Sequence, residues 1–145
     1  MIRPDLATRL DELEARAAIA DLVHGYARAV RRNEPEQVEA LFAPGGTFEV
    51  RSGHPDTPEF AVRTRFESPQ ALVAFLVSQK GSAHPIPLIH NLMITVEGET
   101  ARAESVMAAP IHRTDKEVMG EYADSFVRLE GRWLFSARIY TIYEN

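Results

Sequence analysis

Apolar residues recur every three or four positions from Leu6 to Val30 and every second position from Leu88 to Tyr143, and this segregation of periods limits the folds open to the chain. Leu6, Leu10, Leu13, Ala17 and Ala20 form one stripe, and Ile19, Val23, Tyr26 and Val30 continue it. The spacing predicts an amphipathic helix over residues 5–32. Pro4 suits a first turn and Asp5 can cap it. Arg28, Arg31 and Arg32 gather at the other end, where the helix dipole favours cations.

Asn33-Glu34-Pro35-Glu36 reads as the start of a short second helix, with Asn33 as cap, Glu36 at the capping-box position and Val38, Leu41 and Phe42 as its apolar face. Ala43-Pro44-Gly45-Gly46 reads as the turn that ends it. Thr47–Arg51 alternates around Phe48 and Val50 as a strand, residues 52–58 read as a loop, and Phe60–Phe66 as a further strand. Ser68 and Pro69 open a third helix containing Leu72, Val73, Phe75, Leu76 and Val77, closed by Gly81 and the Pro85/Pro87 pair. Four β-rich segments follow, Leu88–Glu97, Ala101–Ala109, Met119–Leu129 and Trp133–Tyr143, with turns at Glu97-Gly98-Glu99 and Glu130-Gly131. Helices first and a strand meander afterwards make an α+β pattern, expected as one domain over residues 1–145 with no internal repeat.

Composition removes several functions. With 16 basic and 21 acidic residues, the net charge of −5 gives no footprint for a nucleic-acid backbone or an anionic membrane. The absence of cysteine excludes disulfides, Cys-ligated zinc, iron–sulfur clusters and thiol nucleophiles. The five histidines, at 24, 54, 84, 90 and 112, show no metal-ligand spacing, so neither a metal nor another cofactor is expected. No Gly-x-Ser-x-Gly elbow or phosphate-cradling loop is present. The N-terminal residues lack a signal-peptide core and no apolar run approaches the ~20 residues of a membrane span, so a cytoplasmic location is expected.

Three segments carry a family resemblance: Arg16-Ala17-Ala18-Ile19-Ala20-Asp21-Leu22 with Tyr26, Leu41-Phe42-Ala43-Pro44 and Phe48; His90 through Ala101; and Gly120-Glu121-Tyr122-Ala123-Asp124 with Glu130-Gly131-Arg132-Trp133 and Arg138. In their order and spacing the chain resembles the SnoaL-like members of the nuclear transport factor two-like superfamily. The resemblance implies a cone-shaped, curved antiparallel sheet wrapped around a long N-terminal helix, with a central pocket. It also implies one of several functions: scytalone dehydratase, lindane dehydrochlorinase, ketosteroid isomerase, polyketide cyclases and the non-catalytic small subunits of ring-hydroxylating dioxygenases share this fold.

In dehydratase-like members an Asp near the end of the first helix orients a His from the sheet, which then takes a proton from carbon. That Asp position falls on Arg31 here, and Asp21 lies on another side of the helix. His90 is the expected base, with His84 on a Pro-flanked loop as the alternative. Tyr26 and Arg138 match residues that stabilise a substrate oxygen. Asp124, between Tyr122 and Phe126 on one strand face, is expected to pair with Arg138 and could replace the lost carboxylate beside His90. Val30, Arg31, Phe48, Phe66, Leu88, Ser105, Met107, Tyr122, Phe126 and Tyr140 are expected to line the pocket.

Three functions follow from this reading: a cofactor-free lyase or isomerase acting on an apolar cyclic substrate, a binding protein without turnover, or a structural accessory subunit. Each implies self-association as a dimer or trimer through the outer sheet face, where Met93, Val106 and Val127 offer apolar contacts.

Overall fold

The structure, a computed structural model, describes residues 3–57 and 59–144. Helix α1 spans Leu6–Arg31 and α2 spans Pro69–Ser78. The strands are β1 Phe42–Gly53, β2 Phe60–Phe66, β3 Leu88–Glu97, β4 Thr100–Pro110, β5 Glu117–Leu129 and β6 Arg132–Tyr143. They form one curved, unclosed sheet in the order β2-β1-β6-β5-β4-β3. Neighbours run antiparallel, except that β1 and β6 run parallel. This is the cone of the expected α+β fold.

Both helices begin as their cap residues dictate. The Asp5 side chain accepts a hydrogen bond from the Thr8 amide at 2.7 Å, and Ser68 accepts one from the Ala71 amide at 3.1 Å. The buried face of α1 starts at Ala15 and runs through Ile19, Leu22, Val23 and Tyr26 to Ala29. Leu6, Leu10 and Leu13, expected on the same stripe, are instead exposed, because the first turns lie before the buried face begins. Arg16 ties the helix to the edge strand by donating to the Ile94 carbonyl at 2.6 Å. On the opposing sheet face, β4 alternates strictly, burying Ala101, Ala103, Ser105, Met107 and Ala109. Ile19 and Val23 of α1 share the resulting core with Phe42, Phe126 and Phe135. Each fully buried side chain of this size contributes about 1.5–3 kcal/mol.

Two expectations fail between the helices. Residues 33–42 form no α-helix but two 3-10 turns, Pro35–Gln37 and Glu39–Leu41. Asn33 caps nothing that follows. It sits at φ 56° as the left-handed residue that ends α1. Its amide bonds the Val30 carbonyl at 3.1 Å and the Glu34 amide bonds the Ala29 carbonyl at 2.9 Å, the paired bonds of a Schellman motif. Ala43–Gly46 lies inside β1 as a bulge, the register against β6 shifting between Phe42 and Thr47 where Gly45 adopts φ 77°.

The remaining strands lie within a residue or two of expectation. Glu130 and Gly131, both at positive φ, close the β5–β6 hairpin with the conformation that matches strand twist. Gly120 is required by packing: a Cβ there would stand 2.3 Å from the Thr141 carbonyl oxygen. Among the described residues no helix is long and apolar enough to cross a membrane.

Candidate functional site

A partly enclosed cavity of about 310 Å³ opens between the C-terminal half of α1, α2 and the inner sheet face. Tyr26, Ala29 and Val30 come from α1, and Phe48 and Val50 from β1. Leu72, Phe75 and Leu76 of α2 cover one side, and Met107, Tyr122 and Tyr140 of the central strands form the floor. Aromatic rings dominate. Tyr26 stacks on Phe48 with centroids 5.7 Å apart and planes at 16°, Phe66 meets Phe75 at 5.2 Å, and Tyr122 meets Tyr140 at 5.1 Å. Polar groups are few: Asn33, Gln79, the three tyrosine hydroxyls and the imidazole of His84. Such a lining suits a small, flat, largely apolar molecule.

The tyrosines remain neutral donors. Burial drives the phenol of Tyr26 well above its ordinary range, Tyr122 adds to the rise, and the Arg138 cation only partly offsets it. Burial likewise raises Tyr122 and Tyr140. No protein hydrogen bond engages the hydroxyls of Tyr26, Tyr122 or Tyr140 among the described residues.

Of the residues expected to form the site, Tyr26, Val30, Phe48, Phe66, Met107, Tyr122 and Tyr140 meet around this cavity. His90 does not. It is exposed on the edge strand β3 and lines a second, more open hollow together with Arg31, Leu88, His24 and Arg28. The physical reason lies in the strand. Alternation turns Ile89 to the core and Leu88 and His90 away from it, and the register slips between His90 and Met93, where Asn91 adopts φ 52°. The expected roles of His90, Arg31 and Leu88 at the cavity are therefore corrected. The imidazole on its wall is that of His84.

Asp124 pairs with Arg138 as expected, but the places of Arg138, Asp124, Ser105 and Phe126 at the cavity are corrected, since they lie in the core and not on its wall. Asp124 and Arg138 stand directly opposite in the β5–β6 register and pair at 2.9 Å. The guanidinium lies 3.6 Å from the Tyr122 ring centroid, 4.6 Å from that of Tyr26 and 4.8 Å from that of Phe135. Burial pushes the Asp124 carboxyl up to about 6, although Arg138 pulls it down. Engaged in this way, Asp124 is not free to orient a histidine. Arg138 Nη1 and Ser105 Oγ, both buried, have no hydrogen-bond partner among the described residues.

His84 is held from outside the cavity. Its Nε2 lies 3.1 Å from the main-chain oxygen of Arg31, and its ring centroid is 5.3 Å from that of His112. The α2 residues Leu72, Phe75 and Leu76 were not anticipated as lining. Their signal in the sequence was an apolar run broader than one helical stripe, which reads equally well as core.

Residues 11–139 match the model of the SnoaL-like domain. Among curated proteins there is no match. Similar solved structures include a protein of Novosphingobium aromaticivorans provisionally named the beta subunit of an aromatic-ring-hydroxylating dioxygenase, with TM-score 0.77, 23% identity and 92% of each chain covered. A nuclear transport factor two-like protein with a cystatin-like fold from the same organism has TM-score 0.74 and 20% identity, covering 97% of this chain and 92% of its own. A hexachlorocyclohexane dehydrochlorinase of type 2 has TM-score 0.68 and 15% identity, covering 92% of this chain and 88% of its own. At these identities the likeness is one of fold.

Proposed function

Since the chain belongs to the SnoaL-like domain family, we propose that it binds a small apolar molecule of one or two rings in the aromatic cavity and moves a proton on it without a cofactor, as a lyase or isomerase. The observation that carries the proposal is the placement of one imidazole, His84, on the wall of a cavity otherwise built from aromatic and aliphatic side chains. His84 takes the proton from carbon. The hydroxyls of Tyr26, Tyr122 and Tyr140, which no protein group engages among the described residues, donate to the oxygen on which negative charge develops. The similar fold of a hexachlorocyclohexane dehydrochlorinase accords with this reading.

A cyclic ketone tests it. In D₂O the protein should speed deuterium entry at C1 of 2-tetralone by at least ~100-fold over buffer, and His84→Ala should abolish the gain. Saturable binding without exchange, for this ketone and hydroxylated relatives, favours the second reading, a binding or accessory protein. That reading is motivated by Arg31 standing where the resemblance expects a carboxylate. We also infer self-association, which sedimentation velocity would reveal; Leu6, Leu10 and Met93 are large apolar residues left exposed.

A further inference from the structure

We infer that the C-terminal end of α1 does for His84 what a carboxylate would otherwise do: the main-chain carbonyl of Arg31 fixes the imidazole as its Nε2-protonated tautomer and leaves Nδ1 as the proton-accepting nitrogen of the cavity. This deepens the reading of the cavity as a proton-transfer site and rests on it for its chemistry, but not for its geometry.

The last four carbonyls of a helix have no partner within it. In α1 the Arg32 amide meets the Arg28 carbonyl at 2.9 Å, and the Schellman bonds of Asn33 and Glu34 take those of Val30 and Ala29. Only the Arg31 carbonyl is left over, and it is the one that faces His84 Nε2 at 3.1 Å.

A carbonyl oxygen only accepts, so Nε2 must carry the hydrogen. In a neutral ring the hydrogen is then absent from Nδ1, which has no protein partner among the described residues. The helix end also carries partial negative charge, which places it suitably beside an imidazole that gains a proton. The Arg31 side chain turns to the other hollow with His24, Arg28 and His90, and the His112 ring stands 5.3 Å away. The position at which the resemblance expects an acidic side chain thus contributes its backbone oxygen instead.

Nitrogen-15 correlation spectra of histidine-labelled protein read the tautomer directly. The expected result is that the neutral form of the His84 ring carries its proton on Nε2, with the long-range coupling pattern of an unprotonated Nδ1. A His84 protonated at Nδ1, or averaging between tautomers, overturns the inference whatever the catalytic result. The variant His84→Gln gives a second measure, because its side-chain amide can still donate to the Arg31 carbonyl but has no basic nitrogen. It should keep the wild-type melting temperature and the wild-type affinity for 2-tetralone within about 3-fold, while its exchange rate falls at least ~100-fold. A His84→Gln protein that melts no higher than His84→Ala argues against the carbonyl bond. If wild-type protein shows the Nε2 tautomer yet exchanges no ketone, the positioning stands and the proposed reaction fails.

Discussion

Arg138 and Asp124 face each other from adjacent strands with side chains wholly screened from solvent, Nε lying 2.9 Å from Oδ1. The pair sits beneath the tyrosine floor of the cavity, so it belongs to the support of the site and not to its surface.

Removing one partner should be costly. Asp124→Ala leaves a guanidinium in the core with no acceptor, and a loss of about 3–5 kcal/mol in urea denaturation is expected. Replacing both, as Asp124→Leu with Arg138→Met, should recover much of that loss. A double variant as unstable as Asp124→Ala alone would contradict this account of the pair.

The same carboxyl sets a pH dependence. Its folded value of about 6 lies above the ordinary carboxylate value of 3.8, so the native state holds a proton that the unfolded state releases between them. The resulting stability is fully present below about pH 4 and lost as pH rises through about 6. Measured against Asp124→Asn, which keeps an acceptor but does not titrate, the wild type should weaken across this window by roughly 2–3 kcal/mol. Denaturation midpoints of both proteins from pH 4 to 7 check the sign; a wild type that gains on the variant as pH rises has the opposite linkage.

The tyrosine hydroxyls should matter for ligands and not for folding. Tyr26→Phe and Tyr122→Phe remove groups without protein partners, so the melting temperature should hold. Affinity for 2-tetralone should drop about 2- to 12-fold, the worth of one hydrogen bond, while affinity for the oxygen-free hydrocarbon tetralin stays level. Calorimetric titration separates the two.

Asn33 offers a test of the helix end. At φ 56°, Asn33→Ala should cost about 1–2 kcal/mol, and Asn33→Gly should be neutral or stabilising. Equal stability of the two variants in thermal melts would deny the left-handed requirement.

Much of the fold could be read from the residues because its signals are local. Asp5 and Ser68 announce helix starts through side chains that act within three residues, and the unbroken alternation of β4 fixes which of its positions face inward. Asn33 was harder, since a residue of its type suits both a helix start and a left-handed helix end, and only the two backbone bonds to Ala29 and Val30 decide between them. The resemblance puts His90 at the base position, but the register slips immediately after it, where Asn91 adopts φ 52°, and such bulges leave no compositional mark. The cavity wall supplied by α2 was hidden for a different reason: apolar side chains facing a void and apolar side chains facing one another look identical in a sequence.

The parallel pairing of β1 with β6 has a consequence for how the molecule is assembled during synthesis. Phe42 must wait for Phe135 to leave the ribosome before its strand gains a central neighbour. Until then the nascent polypeptide exposes an unzipped edge carrying Phe48, so chaperone demand should peak late in translation.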